Sequence, residues 1–314
     1  MADTLVDGRG RKIDYLRVSV TEACDFQCRY CGGGIAADLL PLPVLARLVR
    51  LFSEMDISHV RITGGEPLLR EGVVPFVRSV RSMDGIRAVT MTTNGSHLAS
   101  MARSLKENGL SSLNVSLDAT DPALFRFLSG GGDGDVVIQG IDAALSEGLP
   151  VKLNCVPLAE SWKEQASQVY QFAASRNIPV RFIELMPFGP ASRLHGVSVT
   201  TVASYLEEIC GPSSPLSPVG YGPAWYRNYQ GVTVGFIGAL SHQFCQDCNR
   251  VRLRGDGKLQ LCLDQKPVMD CSALLDLPDD RVREMLRHQV EQKPECHHFG
   301  EGHGGRVPLG WIGG

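Results

Sequence analysis

The sequence predicts an α/β fold built on a parallel sheet. Three observations carry that expectation. Short β-branched runs alternate with longer stretches of helical period, the runs recur six times before residue 190, and cysteine, glycine and polar residues gather just past their ends. Strand–helix alternation is the mark of a parallel sheet with helical crossovers, and such folds collect their functional groups at the carboxyl edge of the strands. Six units of this kind make either an open sheet or an incomplete barrel.

Taken in order, "LRVSV" (16–20) leads into "EACDFQCRYC" (22–31), and a helical pattern over 42–55 leads to "HVRIT" (59–63) and "GGEP" (64–67). A helix over 73–82 precedes "AVTMT" (88–92) and "TNG" (93–95), and one over 97–108 precedes "SLNVSLD" (112–118), which closes on Asp118. Helical stretches at 122–128 and 136–147 flank "SGGGDGD" (129–135), which reads as a flexible loop. "VKLNCV" (151–156), a helix over 163–176 and "VRFIEL" (180–185) with "MPFG" (186–189) complete the six units. The rhythm then changes. "GPSSPLSPVGYGP" (211–223) reads as a surface connection, followed by "GVTVGFIG" (231–238), a second cysteine group, a helix over 279–290 and a Gly- and His-rich tail. These shifts divide the chain into 1–190 and 191–314.

The 314 residues are 43% hydrophobic and 21% charged, ordinary for a globular protein, and a net charge of −3 argues against a general nucleic-acid binder. No apolar leader follows a basic start, and no run approaches the roughly 18 apolar residues of a membrane span. The expected setting is the cytosol, without membrane or nucleic-acid partners. Ten cysteines are there expected as ligands, redox groups or buried thiols rather than disulfides.

Cys24-x3-Cys28-x2-Cys31 offers three soft ligands suited to zinc or an iron–sulfur cluster. Three thiolates are one too few for a closed zinc site, unless a histidine completes it. A cubane cluster with one open iron needs only three. The glycines of "GGEP" allow backbone to approach a ligand closely. A second trio, Cys245-x2-Cys248-x13-Cys262, surrounds a hairpin turning at "GDG" (255–257), which returns Cys262 toward the first pair. A zinc ribbon with a borrowed ligand explains that motif equally well. Between those cysteines Arg250, Arg252 and Arg254 alternate, so in a strand they share one face. Guanidinium forks suit phosphate.

CxxxCxxC after the first strand, with Tyr30 before the third cysteine and "GGEP" after the second strand, resembles the radical S-adenosylmethionine (SAM) superfamily. That resemblance implies a [4Fe–4S] cluster on Cys24, Cys28 and Cys31 whose open iron chelates SAM, with Gly65 beside the methionine moiety. Electron transfer then splits SAM and releases a 5′-deoxyadenosyl radical.

The segments "YLRVSVTEACDFQCRYC", "RITGGEPLLR", "TTNG", "LNVSLD", "VKLN", "RFIELMPFG" and "FCQDCNRVRL" resemble, more closely, the GTP 3′,8-cyclase family of molybdenum cofactor biosynthesis. The resemblance covers residues 10–314 and implies an incomplete (βα)6 TIM-like barrel. A C-terminal α+β extension would close it, carrying a second [4Fe–4S] cluster on Cys245, Cys248 and Cys262 whose open iron binds guanine. Tyr30, Gly65, Ser116 and Met186 would line SAM. Arg17, Arg61, Thr92, Lys152, Arg250 and Arg252 would hold GTP, with Arg17, Arg250 and Arg252 in catalytic roles.

The implied reaction makes 3′,8-cyclo-7,8-dihydro-GTP. Its implied partners are a flavodoxin or ferredoxin as electron donor and cyclic pyranopterin monophosphate synthase downstream, in a monomer or homodimer. Gly313 and Gly314 would reach into the site. The chain departs from the family at "GGGI" (32–35), "PLAESW" (157–162), His59 in place of lysine, Arg254 in place of threonine, and "PLGWIGG" at the end. These departures keep open a divergent two-cluster enzyme acting on another nucleotide or a peptide. Cys155, Cys210, Cys271 and Cys296 are expected to be inert thiols, and His297, His298 and His303 to belong to a mobile tail.

Overall fold

The computed structural model describes residues 4–32 and 38–299. Its first part runs β1 (Tyr15–Ser19), α1 (Leu42–Ser53), β2 (His59–Thr63), α2 (Val73–Arg81), β3 (Ala88–Thr93), α3 (Leu98–Glu107), β4 (Ser112–Ser116), α4 (Pro122–Ser129), α5 (Gly134–Ser146), β5 (Val151–Cys155), α6 (Trp162–Arg176) and β6 (Val180–Ile183). The remainder adds α7 (Val199–Cys210), β7 (Ser214–Leu216), β8 (Trp225–Tyr229), β9 (Val232–Ile237), β10 (Arg250–Leu253), β11 (Lys258–Gln260), β12 (Met269–Asp270) and α8 (Asp279–Glu291).

The described strands form one sheet in the order β12-β11-β10-β1-β2-β3-β4-β5-β6-β9-β8-β7. Strands β1 to β6 lie in sequence order and all pair in parallel. Right-handed crossovers that always advance in one direction put every helix on one side of the sheet. Curling the sheet encloses the opposite face. The barrel is not closed: β9 joins β6 and β10 joins β1, both in parallel, and antiparallel β7–β8 and β11–β12 finish the two ends.

Side-chain alternation along the strands separates core from lumen. Leu16, Val18, Val60, Ile62, Leu113, Val115, Leu153 and Val180 are fully buried, on the face the helices cover. The alternate positions are polar. In the strand register Arg252, Arg17, Arg61 and Thr90 form one row across β10, β1, β2 and β3, while Thr92, Asn114 and Lys152 form the next across β3, β4 and β5. The sheet thus folds one oily surface outward under helices and one cationic surface inward.

Of the six expected strands "HVRIT" matches in full, "LRVSV" is set one residue late, "AVTMT" stops one residue short, and the other three run one or two residues past the observed ends. Helix α7 and strand β8 were not anticipated. The segment 129–135 is also not the free loop expected. Pro122 opens α4, the Asp121 carboxylate caps it by accepting from Leu124 N at 2.8 Å, and Gly130 ends it in the left-handed region. A Cβ on Gly130 would lie 2.2 Å from the Gln27 carbonyl oxygen, so this turn is pressed against the first cysteine loop.

Candidate active site

The loop bearing Cys24, Cys28 and Cys31 leaves the carboxyl end of β1 and is fixed on three sides. Gly65 N donates to Thr21 O (2.9 Å) and Glu66 N to Ala23 O (2.8 Å), while Gln27 N and Arg29 N donate to Ser129 O and Leu128 O (both 3.0 Å). The Tyr30 hydroxyl donates to Asp118 Oδ2 at 2.7 Å. A Cβ on Gly65 would stand 2.3 Å from Ala23 O, so only glycine lets "GGEP" support the loop this closely.

Glu66, overlooked in the sequence, fixes the neighbouring turn. Its buried carboxyl accepts from Leu68 N (3.0 Å), the Thr93 hydroxyl (2.7 Å) and Asn94 N (2.6 Å). Asn94 in turn reaches Asp25 (2.7 Å) and Cys24 Sγ (3.8 Å). Cys24, Cys28 and Cys31 are half-buried free thiols. Burial first, then neighbouring carboxylates and each other, push Cys24 up to about 12 and Cys28 well above the ordinary thiol range. A bound cation would reverse that penalty by taking them as thiolates.

The residues expected around SAM are brought to this loop. Gly65 lies beneath it, and Tyr30 ties it to β4. Ser116 shares a recess with Cys28, Asn94 and Asp118. Met186 packs with Cys31 and Leu263 around the Phe188–Phe299 pair, whose rings meet edge-on at 5.0 Å. Leu263 follows Cys262 directly, so this small apolar cluster joins the surroundings of the two trios.

The second trio stands around the mouth of the lumen. Cys245 opens a short turn, Cys248 precedes β10 and Cys262 follows β11, so the hairpin does return it to the others. One cavity is lined by all three together with Arg17, Arg61, Thr92, Arg250, Arg252 and Met186. Arg181 and Lys293, missed in the sequence, line it too. Among the described residues its wall carries no Asp or Glu. Burial lowers Arg17 well below the usual guanidinium range, and Arg252, Arg61 and Arg250 lower it further. Burial likewise lowers Arg252 and Arg181 to about 10, helped by the charges of Arg250 and Arg61 respectively. Buried like charges of this density need an anion. Thr92 Oγ1 and Arg250 Nε, both buried, have no hydrogen-bond partner among the described residues.

Lys152 stands beside this group rather than in the cavity wall. Its ammonium donates to Val219 O at 3.1 Å, so the 211–223 connection reaches over the lumen instead of running free. Burial, then Arg181 and Arg61, lower Lys152 to about 8. Tyr221 of the same connection lies on the His59 ring, centroids 3.4 Å apart.

Two further expectations are corrected. Arg254 follows the end of β10 and does not share the row of Arg250 and Arg252. It pairs with Glu22 at 3.1 Å and Asp256 at 3.2 Å. His297 is not in a mobile tail: it is buried, lines the cavity and stacks on Phe299 with centroids 3.8 Å apart. His298 is exposed. Cys155 and Cys271 are fully buried and Cys210 nearly so, as expected of inert thiols, whereas Cys296 is half-buried near Cys245. His303, Gly313 and Gly314 lie outside the described residues, as does most of "GGGI".

The donor sets fit iron–sulfur centres. The first offers three thiols on one loop and the second three thiols gathered by a turn and a hairpin, and among the described residues no three His, Cys, Asp or Glu side chains converge on a single ion. A cubane takes its thiolates at separate corners. No helix of the described residues is long and apolar enough to cross a membrane.

Comparison with known proteins agrees with this geometry. Residues 18–172 match the radical SAM superfamily and residues 178–299 match Molybdenum Cofactor Synthesis C. The chain is 38% identical to GTP 3′,8-cyclase 1 of Pseudomonas aeruginosa, covering 94% of each, and 37% identical to the GTP 3′,8-cyclase of Peptoclostridium acidaminophilum, covering 95% and 94%. It is 40% identical to that of Heliobacterium modesticaldum, covering 97% and 98%. Among solved structures, SuiB of Streptococcus suis bound to S-adenosylmethionine superimposes with a TM-score of 0.69 at 15% identity, over 90% of this chain and 69% of that one. That likeness concerns the fold.

Proposed function

Because this chain belongs to the GTP 3′,8-cyclase family of radical SAM enzymes, we propose that its two parts, meeting at about residue 190, each carry one cluster: the first starts the radical, and the second seats the purine over phosphate-binding residues drawn from both. The enzyme converts GTP to (8S)-3′,8-cyclo-7,8-dihydroguanosine 5′-triphosphate, the first step of molybdenum cofactor biosynthesis. Two [4Fe–4S] clusters and SAM are its cofactors. When bound, they supply the 5′-deoxyadenosyl radical that takes hydrogen from ribose C3′, so that C3′ bonds to purine C8.

The chain's own residues bind, orient and enclose. Cys24, Cys28 and Cys31 hold the SAM cluster, and Gly65, Tyr30, Ser116 and Met186 shape the place for SAM beside it. Cys245, Cys248 and Cys262 hold the second cluster at the purine. Arg17, Arg61, Arg250 and Arg252 take the phosphates, with Thr92 toward the ribose. Lys152 joins them once the Val219 carbonyl is displaced. The row Arg252, Arg17, Arg61 beside a cysteine trio is the observation that carries this reading, because a triphosphate supplies the charge this acid-free wall calls for. A flavodoxin or ferredoxin delivers the electron, cyclic pyranopterin monophosphate synthase takes the product, and the setting is the cytoplasm.

The test is an anaerobic assay of the reconstituted enzyme with GTP, SAM and reductant. It should yield 5′-deoxyadenosine and the cyclised nucleotide, and Arg252→Ala should lose cyclisation more than SAM cleavage. GTP that neither binds nor speeds SAM cleavage would refute the substrate, and equal loss of both activities would refute the role of Arg252.

A further inference from the structure

Lys293 is a buried lysine, only 4% exposed, in the wall of the nucleotide cavity. Its ammonium donates to Leu261 O at 2.5 Å, the residue before Cys262. No carboxylate of the described residues pairs with it. The acidic groups that face it are instead the thiols of Cys248, which also hydrogen-bonds it, and Cys262; both would be negative as cluster thiolates, and both oppose the effect of burial on the lysine. A cation without an acid is costly to bury unless its counter-charge arrives with something else.

The two trios differ in just this respect. Cys24 feels Glu66 and Asp25, and Cys28 feels Asp118. Cys248 feels Lys293 and Arg250, and Cys262 feels Lys293 and Arg252. The first centre sits among carboxylates and the second among cations. Each centre becomes one unit more negative when its oxidised form accepts an electron, so a fixed ammonium nearby favours the reduced state and fixed carboxylates disfavour it.

We propose that Lys293 is a positioning residue of the second centre: it anchors the Cys262 turn through the Leu261 carbonyl and holds a positive charge against Cys248 and Cys262, raising that centre's reduction potential. The proposal rests on the two-cluster reading above. Among its carboxylates the first centre stays the stronger reductant, suited to splitting SAM, while the second stays a seat for the purine.

The experiment is a redox titration of the anaerobically reconstituted full-length enzyme, followed by electron paramagnetic resonance. SAM perturbs the first centre's signal and GTP the second's, which tells them apart. Lys293→Met should make the second centre at least tenfold less reduced at a fixed poise, about 59 mV for one electron. The first centre should not move, and Lys293→Arg should stay near the parent. Loss of the second centre's iron in Lys293→Met but not in Lys293→Arg would equally uphold the role of the charge. An unshifted second centre in Lys293→Met, an equal shift of both centres, or iron loss in both variants would overturn it. If the parent itself holds only about four irons, the two-cluster reading fails, and this proposal with it.

Discussion

Arg254 Nη2 stands 3.1 Å from Glu22 Oε1, in an ion pair whose side chains are 12% and 2% exposed. Glu22 leads into the first cysteine loop, and Arg254 leaves the strand that carries Arg250 and Arg252. One contact therefore joins the surroundings of the two trios. Burial raises the Glu22 carboxyl, and Arg254 pulls it back only in part. Arg254→Thr should leave that carboxylate stranded and cost about 3 kcal/mol, read from the denaturant midpoint at unchanged m-value. Glu22→Gln combined with Arg254→Thr should recover more than half of the loss. Additive single losses would show that the two side chains are uncoupled.

Cys262→Ser should empty the second centre while sparing the first. Iron should fall from about eight to about four per chain, and SAM binding should persist while the cyclised nucleotide disappears. Retention of all the iron would remove Cys262 from the ligand set.

The Lys152 ammonium titrates at about 8 in the free enzyme because burial, Arg181 and Arg61 disfavour its charge. A phosphate neighbour favours that charge and so raises the bound value. GTP affinity is then level below pH 8 and falls by up to tenfold per pH unit above it. Lys152→Gln should bind more weakly at pH 7 and lose that part of the alkaline decline. Calorimetry over pH 6.5–9.5 tests this, and a decline as steep in the variant as in the parent would place the titrating group elsewhere.

Gly65→Ala inserts a methyl 2.3 Å from Ala23 O, where only backbone can yield. The cysteine loop must shift, at a cost of about 1–3 kcal/mol. SAM cleavage should drop at least tenfold while GTP binding holds. Normal SAM cleavage in the variant would show that the loop has slack the structure does not suggest.

Much of this was legible in the sequence because the strands alternate. "LRVS" and "VRIT" place Leu16, Val18, Val60 and Ile62 on one face and Arg17 and Arg61 on the other, and parallel pairing in register aligns those arginines. The cysteine spacings announced two soft-ligand centres. What stayed hidden depends on contacts between distant segments. Lys293 and His297 sit in a tail that looks solvent-exposed until α8 delivers it to the cavity wall. Arg254 has the right parity for the arginine row, but β10 ends before it. The glycines of 129–135 look like slack, yet Gly130 is needed because the Gln27 carbonyl leaves no room for a side chain.

Arg11 meets Asp7 at 2.6 Å and donates to Cys245 O (2.7 Å), Pro294 O (2.5 Å) and Glu295 O (2.9 Å). One guanidinium thus staples residues more than 280 positions apart, and β10, also from the far part of the chain, completes the free flank of β1. The backbone hydrogen bonds that hold the SAM-side loop come from Thr21, Ala23, Gly65, Glu66, Leu128 and Ser129, all in the first half of the chain, whereas the purine-side nest depends on Lys293 to Glu295. The first trio is therefore fastened mainly by its own half of the chain, and the second closes only when α8 brings the far end of the chain back to Arg11.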